Sequence, residues 1–286
     1  MTGIRAIGID FEGCISEAGG GRVSWPTRNI LRLGVLLRVL YQETGICAFL
    51  VTGRQAPYAE AALQALGIVT DIPSIVENGS ILYYPKTKKF NLNPAITESA
   101  LSRFIGVRQQ IIDTTKMYPC VRELGKEFML SFSVQHGAIE ASELAQNIIE
   151  EVDDLIKLGI IEVTHSKSAV DVTIRGVNKG SGLDYWSSEC NIAIENLAGI
   201  GDSEGDLPTL DRVKMPMSPA NVTQGAKKVV LNRDGYVSPY PTTQGVIDCV
   251  TRVTDNSRVH LLAARFIEEI TIERPTEDTH KLVFER

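Results

Sequence analysis

The sequence lacks several features that would assign it to other classes of protein. Its five cysteines are scattered and form no Cys-x-x-Cys pair, which excludes a zinc or dithiol motif and indicates reduced thiols. It contains no run of about 18 apolar residues and no apolar leader after a basic start, so we predict neither a membrane span nor secretion, and we place the protein in the cytoplasm. The four histidines show no spacing typical of metal ligands.

A basic surface is also absent, because 29 Lys and Arg residues stand against 35 Asp and Glu residues and the net charge is −6. Nucleic acid and anionic membranes are therefore not expected as partners. The 286 residues are 43% hydrophobic and 22% charged, which is enough to bury one large core or two modest ones.

Strands and helices alternate in the first 80 residues, and this alternation resumes after Lys179. Apolar residues at helical spacing after Pro26, and again over residues 56–66 up to Gly67, predict two helices. The predicted strands of this part are residues 4–9, 46–52, 197–202, 214–217 and 229–231. Such alternation is typical of an α/β fold with a doubly wound, Rossmann-like parallel sheet.

Residues 81–176 follow a different pattern. Apolar and polar residues alternate over residues 127–134 and 169–175, which predicts half-buried antiparallel strands. Amphipathic helices are predicted over residues 97–115 and 140–157. We therefore predict three parts, a core domain of residues 1–80 and 177–252, an inserted α+β cap domain of residues 81–176, and a C-terminal helical extension of residues 253–286. Within that extension, the amphipathic segment 259–270 is predicted to be a packed helix.

Four polar signals lie at the carboxyl ends of predicted parallel strands or at the start of a helix, where open α/β sheets bind ligands. They are Asp10 with Glu12, Thr52-Gly53-Arg54, Lys179, and Asp202 with Asp206. A carboxylate nucleophile, a hydroxyl donor, a cation and further carboxylates are what Mg²⁺-assisted phosphoryl transfer requires.

The stretches "DFEGC", "FLVTGR", "VNKG" and "GDSEGD" resemble, in order and spacing, the four motifs of the haloacid dehalogenase (HAD) superfamily. The insert between the second and third motifs is similar to the α/β, C2-type cap of the Cof-type and sugar-phosphate phosphatase branch. "ENGS" at 77–80 resembles the turn that leads into this cap, and "MPMSPANVTQGAKK" resembles the segment after the fourth motif. The resemblance covers residues 4–250.

This resemblance implies a role for each matching residue. Asp10 would be the nucleophile that forms an aspartyl-phosphate, Glu12 the general acid and base, and Lys179 the cation that balances charge between Asp10 and the phosphate. The residues implied to bind phosphate are Thr52, Gly53, Arg54 and Lys179. Those implied for the Mg²⁺ site are Asp10, Glu12, Asp202 and Asp206, of which Glu12 would give only its backbone carbonyl and Asp206 would support the others.

Three residues depart from the superfamily pattern, with Glu12 in place of Asp, Cys14 in place of Thr, and Gly205 in place of Asn. The added methylene of Glu12 moves its carboxylate by roughly 1.5 Å, and misplacement of about 1 Å costs on the order of 100-fold in rate. We therefore expect a phosphatase that is slow or reshaped for its substrate.

The predicted function is hydrolysis of a small phosphorylated metabolite, with a sugar phosphate favoured. A phosphotransferase or phosphomutase on the same fold, and a catalytically impaired HAD-fold binding protein, are the alternatives. The expected partner is this metabolite, and self-association into a homo-oligomer is left open. Arg54 is assigned equally to solvent or to the phosphate entrance, and solvated positions are favoured for Arg122 and Lys126.

Overall fold

The computed structural model describes residues 3–17, 25–134, 137–166 and 168–273. The strands in these ranges are β1 (Ala6–Ile9), β2 (Cys47–Leu50), β3 (Ser74–Val76), β4 (Ile81–Tyr84), β5 (Lys89–Leu92), β6 (Cys120–Arg122), β7 (Met129–Val134), β8 (Ile161–His165), β9 (Ala169–Ile174), β10 (Leu197–Ile200), β11 (Met215–Ser218) and β12 (Tyr236–Val237). The helices are α1 (Thr27–Thr44), α2 (Ala56–Leu66), α3 (Glu98–Thr115), α4 (Ala141–Glu151), α5 (Asp153–Lys157), α6 (Lys179–Cys190), α7 (Leu207–Leu210), α8 (Gln224–Asn232), α9 (Thr242–Val250) and α10 (Ser257–Glu273).

A sheet of five parallel strands, in the order β12-β11-β10-β1-β2, forms the larger part of the molecule. Every residue of β1 is buried because helices cover both faces of the sheet. Ile7 and Ile9 pack into the cluster that contains α1 and α10, whereas Ala6 packs on the other side with Trp186 of α6. The continuous apolar run of β1 follows from this two-sided burial, and the predicted doubly wound α/β fold is confirmed.

The helices around this sheet follow the sequence closely. Helix α2 spans the predicted residues, and Gly67 ends it with a φ of 65°, a left-handed conformation that favours glycine. Helix α10 contains the amphipathic segment 259–270, whose Val259 and Phe266 pack in the same cluster as α1 and α9. The remainder of the predicted extension, residues 274–286, lies outside the described residues.

The strand predicted at 229–231 is wrong, because these residues belong to α8. Thr223 begins this helix, and its hydroxyl accepts a hydrogen bond from the Ala226 amide at 3.4 Å. Ala226 and Val230, four residues apart, are both fully buried. Helical spacing of the buried residues thus outweighs the strand propensity of the local Val-Val-Leu run, and the last strand of the sheet comes later, as β12.

The inserted segment forms a second, antiparallel sheet in the order β6-β7-β9-β8. One face packs against α3 and α4, for example through Phe132 and Val172 against Phe104 and Leu144. We call β6 to β9 with α3, α4 and α5 the cap. Strand β7 is the predicted antiparallel strand, and its burial exceeds the predicted half, since Ser131 on its polar face is also fully buried.

Strands β3, β4 and β5 form a small antiparallel sheet beside the parallel one. Ile81 and Tyr83 of β4 belong to the hydrophobic cluster of the parallel sheet, and Leu82 packs with Trp186 on its other side. Packing therefore favours a start of the cap after Leu92 over the predicted start at residue 81.

Candidate active site

Three of the four polar signals converge at one edge of the parallel sheet. Asp10 follows β1, and its amide donates to the Ile200 carbonyl of β10 at 2.9 Å, which extends the strand pairing by one residue. Thr52 and Asp202 come two residues after the ends of β2 and β10. Because the carboxyl ends of parallel strands lie at the same edge, residues far apart in the chain are brought together here, as the sequence predicts.

Lys179 completes this group from the first turn of α6. Its Nζ lies 2.9 Å from Asp10 Oδ1 and 2.7 Å from Asp206 Oδ1, and all three side chains are buried. Asn178 caps the helix, because its side-chain oxygen accepts hydrogen bonds from the amides of residues 180 and 181. This cap fixes the start of α6 and therefore the position of the Lys179 backbone. Burial disfavours the ammonium, but the two carboxylates outweigh it and raise the pKa of Lys179 above its ordinary value.

The carboxylates of Asp10, Asp202 and Asp206 lie within 4.8 Å of one another and are all buried. Burial, followed by repulsion from Asp206, raises the pKa of Asp10 well above its usual value although Lys179 opposes the shift. We call Asp10, Lys179, Asp202 and Asp206 the acidic floor. Three buried carboxylates with one lysine leave an excess of negative charge, and an all-oxygen donor set of this kind fits a hard divalent cation such as Mg²⁺.

The loop that carries Asp202 is held tightly on both sides. Asp206 Oδ2 accepts hydrogen bonds from the amides of Asp202 and Ser203 at 2.9 and 3.1 Å, so Asp206 shapes the loop as well as pairing with Lys179. On the other side, a Cβ at Gly13 would lie 2.3 Å from Asp202 Oδ2, and the φ of Gly13 is +78°. Glycine is therefore required for the first loop to approach this carboxylate.

The Glu12 side chain lines the same cavity as the acidic floor. Its Oε1 accepts a hydrogen bond from Arg54 Nη2, so the carboxylate predicted to act as general acid and base is paired with a cation. The prediction assigns only the Glu12 backbone carbonyl to the metal. Arg54, predicted to bind phosphate, has its other terminal nitrogen 3.3 Å from Glu123 Oε2 in the cap. Its guanidinium carbon also lies 5.1 Å from the centre of the Tyr58 ring. The structure thus commits Arg54 to two carboxylates and an aromatic ring.

Thr52 and Gly53 lie next to the acidic floor. The Thr52 hydroxyl accepts a hydrogen bond from the Arg54 amide at 3.1 Å, and the Thr52 carbonyl accepts one from the Asn78 amide at 3.2 Å. A Cβ at Gly53 would lie 2.9 Å from Asn78 Oδ1, so the absence of a side chain lets the two segments meet. The Gly53 backbone lines the cavity between the parallel sheet and the cap.

The turn at Glu77–Gly79 lies between β3 and β4 and contacts the cap, and all three of its residues have positive φ. The Glu77 carboxylate accepts hydrogen bonds from the amides of Glu127 and Phe128 in the cap, the latter at 2.9 Å. Burial raises the pKa of Glu77 although these two amides oppose the shift. The sequence identified the Asn-Gly turn by resemblance, but this contact joins residues 50 apart and no local pattern predicts it.

Opposite the acidic floor, the cap presents one row of polar side chains across its four strands. Ser131 pairs with Asp171, Asp171 pairs with Thr164, and the Glu123 amide donates to the Ser131 carbonyl at 2.8 Å. We call Glu123, Ser131, Asp171 and Thr164 the polar row. Ser131 Oγ and Asp171 Oδ1 are buried atoms without a hydrogen-bond partner among the described residues, and both residues line the cavity.

Lys126 also lines this cavity, and its predicted solvated position is wrong. Its side chain is 4% exposed, and its Nζ lies 2.9 Å from Glu123 Oε2 and 4.0 Å from Asp171 Oδ1. Arg122, by contrast, is exposed. The alternation in β7 and β9 predicts a polar face on each strand, but it does not show whether that face meets solvent or a cavity.

The remaining departures from the HAD pattern also lie at the site. Cys14 is fully buried, and burial together with the charge of Asp202 raises the pKa of its thiol well above the ordinary value. Gly205 lines the cavity with space beside it, since a Cβ there would be 3.8 Å from Ser203 Oγ. Because Gly205 has no side chain, a gap lies next to the acidic floor.

Comparison with known proteins agrees with this geometry. The family described as haloacid dehalogenase-like hydrolase matches residues 121–249, which include the third and fourth motifs. A sucrose-phosphatase from Synechocystis, solved with sucrose and phosphate, superposes with a TM-score of 0.64 at 15% identity over 88% of this chain and 98% of its own. The predicted resemblance to the HAD superfamily is confirmed by these matches. The predicted enzyme class, a phosphatase of this superfamily, is confirmed.

Among curated relatives, the phosphoglycolate phosphatase of Methanobrevibacter smithii is 26% identical over 230 residues, covering 79% of this chain and 89% of its own. That of Methanothermobacter thermautotrophicus is 25% identical over 252 residues, covering 87% and 98%. In the part of the chain that the structure describes, no helix is both long enough and apolar enough to cross a bilayer.

Proposed function

We propose that this protein is a Mg²⁺-dependent phosphatase that hydrolyses a small phosphorylated metabolite through an aspartyl-phosphate on Asp10. The observation that carries the proposal is the buried Lys179 ammonium between Asp10 and Asp206, beside Asp202 and beneath the cap. Such a group binds the negative charge of a phosphoryl group and keeps water away from the nucleophile.

In this mechanism a carboxylate oxygen of Asp10 attacks phosphorus, and the bond from phosphorus to the substrate oxygen breaks. Glu12 gives a proton to the departing oxygen and then takes one from the water that hydrolyses the aspartyl-phosphate. Thr52 and the Gly53 amide hold the phosphoryl oxygens, and Lys179 balances their charge. Asp10 and Asp202, supported by Asp206, would hold Mg²⁺, which supplies Lewis-acid stabilisation of phosphoryl charge when bound.

The polar row favours a sugar phosphate as the substrate. Among the described residues, Ser131 Oγ and Asp171 Oδ1 have no hydrogen-bond partner, and a carboxylate oxygen accepts hydrogen bonds from hydroxyl groups. Lys126 lies closer to Glu123, at 2.9 Å, than to Asp171, at 4.0 Å, so Asp171 is the less closely paired carboxylate of this part of the cavity. A hydroxylated leaving group matches these acceptors better than a carboxylate does.

Phosphoglycolate is the second candidate, because the curated relatives carry that activity in their names. Lys126 is the cation of the cap that faces the cavity and could pair with the carboxylate of such a substrate. A sugar phosphate presents neutral hydroxyl groups to the cap, whereas phosphoglycolate presents a negatively charged carboxylate.

A substrate panel with and without Mg²⁺ tests the proposal. Phosphate release from hexose and pentose phosphates, phosphoglycolate and 4-nitrophenyl phosphate would be measured for the wild type and for Asp10→Asn. We expect Mg²⁺-dependent release that is fastest for a sugar phosphate and absent in the variant. Faster turnover of phosphoglycolate would favour the second candidate, and phosphate appearing on an added sugar would indicate a phosphotransferase. Release that is unaffected by Asp10→Asn would contradict the mechanism.

A further inference from the structure

Arg54 connects the parallel sheet to the cap through two carboxylates. One terminal nitrogen bonds Glu12, which follows β1, and the other lies 3.3 Å from Glu123 in the cap. The Arg54 side chain is only 17% exposed, and the Tyr58 ring packs against its guanidinium. A planar guanidinium held at both terminal nitrogens and on one face has little freedom, so its position depends on both carboxylates at once.

The contact between Arg54 and Glu12 uses one carboxylate oxygen. Oε1 accepts the hydrogen bond, and among the described ranges, 3–17, 25–134, 137–166 and 168–273, no partner is found for Oε2. Glu has one more rotatable bond than the Asp usual at this position, so its carboxylate can occupy a larger volume. Fixing Oε1 restricts that freedom and leaves Oε2 available to a substrate oxygen.

We propose that Arg54 is a positioning residue that places Glu12 for proton transfer, and that it does so through Glu123 only while the cap covers the site. This inference rests on the proposed phosphatase function. It assigns to Arg54 a task other than binding phosphate, and it explains how an acid with a longer side chain serves at position 12. Glu123 keeps its charge for this contact, because Lys126 and Arg54 hold its pKa below the ordinary value although burial opposes them.

The dependence of the rate on the leaving group separates positioning from a structural role. The value of kcat/KM reports the steps up to departure of the leaving group, in which Glu12 acts as the acid. A sugar oxygen needs that proton, whereas 4-nitrophenolate leaves without one. For Arg54→Ala we expect kcat/KM to fall by about 10- to 100-fold with a sugar phosphate, the cost of a misplaced acid. With 4-nitrophenyl phosphate we expect a fall of less than about threefold, because no acid is needed there.

A double variant tests whether Arg54 acts through Glu12. In the Glu12→Gln background, Arg54→Ala should cause no further loss with the sugar phosphate, because the group that it positions is already gone. A fall of equal size for both substrates, or losses that multiply in the double variant, would overturn the proposal. Arg32→Ala is the matched control, since Arg32 pairs with Glu269 at similar exposure, 14% and 33%, far from the site. It should leave both rates unchanged.

Two further variants test the connection to the cap. Glu123→Gln keeps the size of the side chain but loses its charge, and we expect the same selective loss with the sugar phosphate as in Arg54→Ala. Arg54→Lys keeps a positive charge but cannot reach two carboxylates with separate nitrogens, so it should recover only part of the rate. Full recovery by Lys, or a Glu123→Gln enzyme with wild-type rates, would show that no link to the cap exists. A wild type inactive on every phosphate ester would instead refute the proposed function itself.

Discussion

The acidic floor and the polar row face each other across one cavity, but they differ in how completely their polar groups are paired. In the described part of the chain, none of the buried side-chain atoms without a hydrogen-bond partner belongs to the floor, whereas Ser131 Oγ and Asp171 Oδ1 belong to the row. An unpaired buried polar group costs about 1–3 kcal/mol. The row therefore has two buried polar atoms that a bound ligand can pair, whereas the described side chains of the floor have none.

Replacing the nucleophile Asp10 should produce the largest effect, a complete loss of phosphoryl transfer. Asp10→Asn has no anionic oxygen to attack phosphorus, so turnover of every substrate should fall to background. The same change should stabilise the metal-free fold, because it removes a buried charge beside Asp206. Phosphate release and thermal unfolding would be measured on the same preparations.

The stabilisation by Asp10→Asn should depend on pH. A carboxyl group whose pKa is raised in the folded state loses its stabilising contribution as pH rises through that pKa. The Tm difference between variant and wild type should therefore be near zero below about pH 4, where the carboxyl is protonated in both states, and grow toward neutral pH. Added Mg²⁺ should reduce the difference. A constant difference across pH would contradict burial as its cause.

Replacing a buried lysine on each side of the cavity should sharpen the comparison. Lys179→Met leaves two buried carboxylates without their cation, so we expect a loss of about 3–5 kcal/mol in the free energy of unfolding. Loss of phosphoryl charge stabilisation should lower kcat by about 10²–10³-fold. Lys126→Met, in the cap, should leave kcat within about tenfold and act mainly on KM. Equal losses of kcat in the two variants would remove the distinction between floor and row.

Changing the polar row should alter the choice of substrate rather than the chemistry. Asp171→Asn retains an oxygen for the hydrogen bond from Asn78 but loses the carboxylate charge. We expect KM for a sugar phosphate to rise about 10-fold, the value of a hydrogen bond to a charged group, with kcat changed less. Phosphoglycolate should bind better, because less negative charge faces its carboxylate. Asp113→Asn, an exposed carboxylate on α3, is the control and should change neither KM.

Filling the gap beside the floor should have the smallest effect. Gly205→Asn introduces the amide common in HAD enzymes, and the space next to Ser203 accommodates a Cβ. We expect kcat/KM to rise by no more than about 10-fold, the value of one added hydrogen bond. Gly205→Ala separates the amide from the loss of glycine and should leave the rate unchanged. A large loss in both variants would mean that the gap is occupied by the substrate.

The floor could be predicted from the sequence because each of its residues follows a recognisable strand or begins a recognisable helix. Parallel strands then bring Asp10 and Asp202 together whatever the rest of the chain does. The row could not be predicted, since alternation in β7 shows two faces without showing what covers them. The pairing of Arg54 with Glu123 joins residues 69 apart across two sheets, and no local pattern carries that information. At residues 229–231 the local strand propensity predicted a strand where the structure has helix α8.

The turn at Glu77–Gly79 limits which residues can be varied when new substrate specificities are designed. Glu77 fastens the cap strands through backbone amides, and Asn78 bonds Asp171 at 2.7 Å. A library that varied this turn would shift the whole cap and give mostly inactive members. A library restricted to Ser131 and Thr164, with Asp171 kept as the partner of Asn78, would change groups that meet the leaving group while the frame that aligns them stays constant.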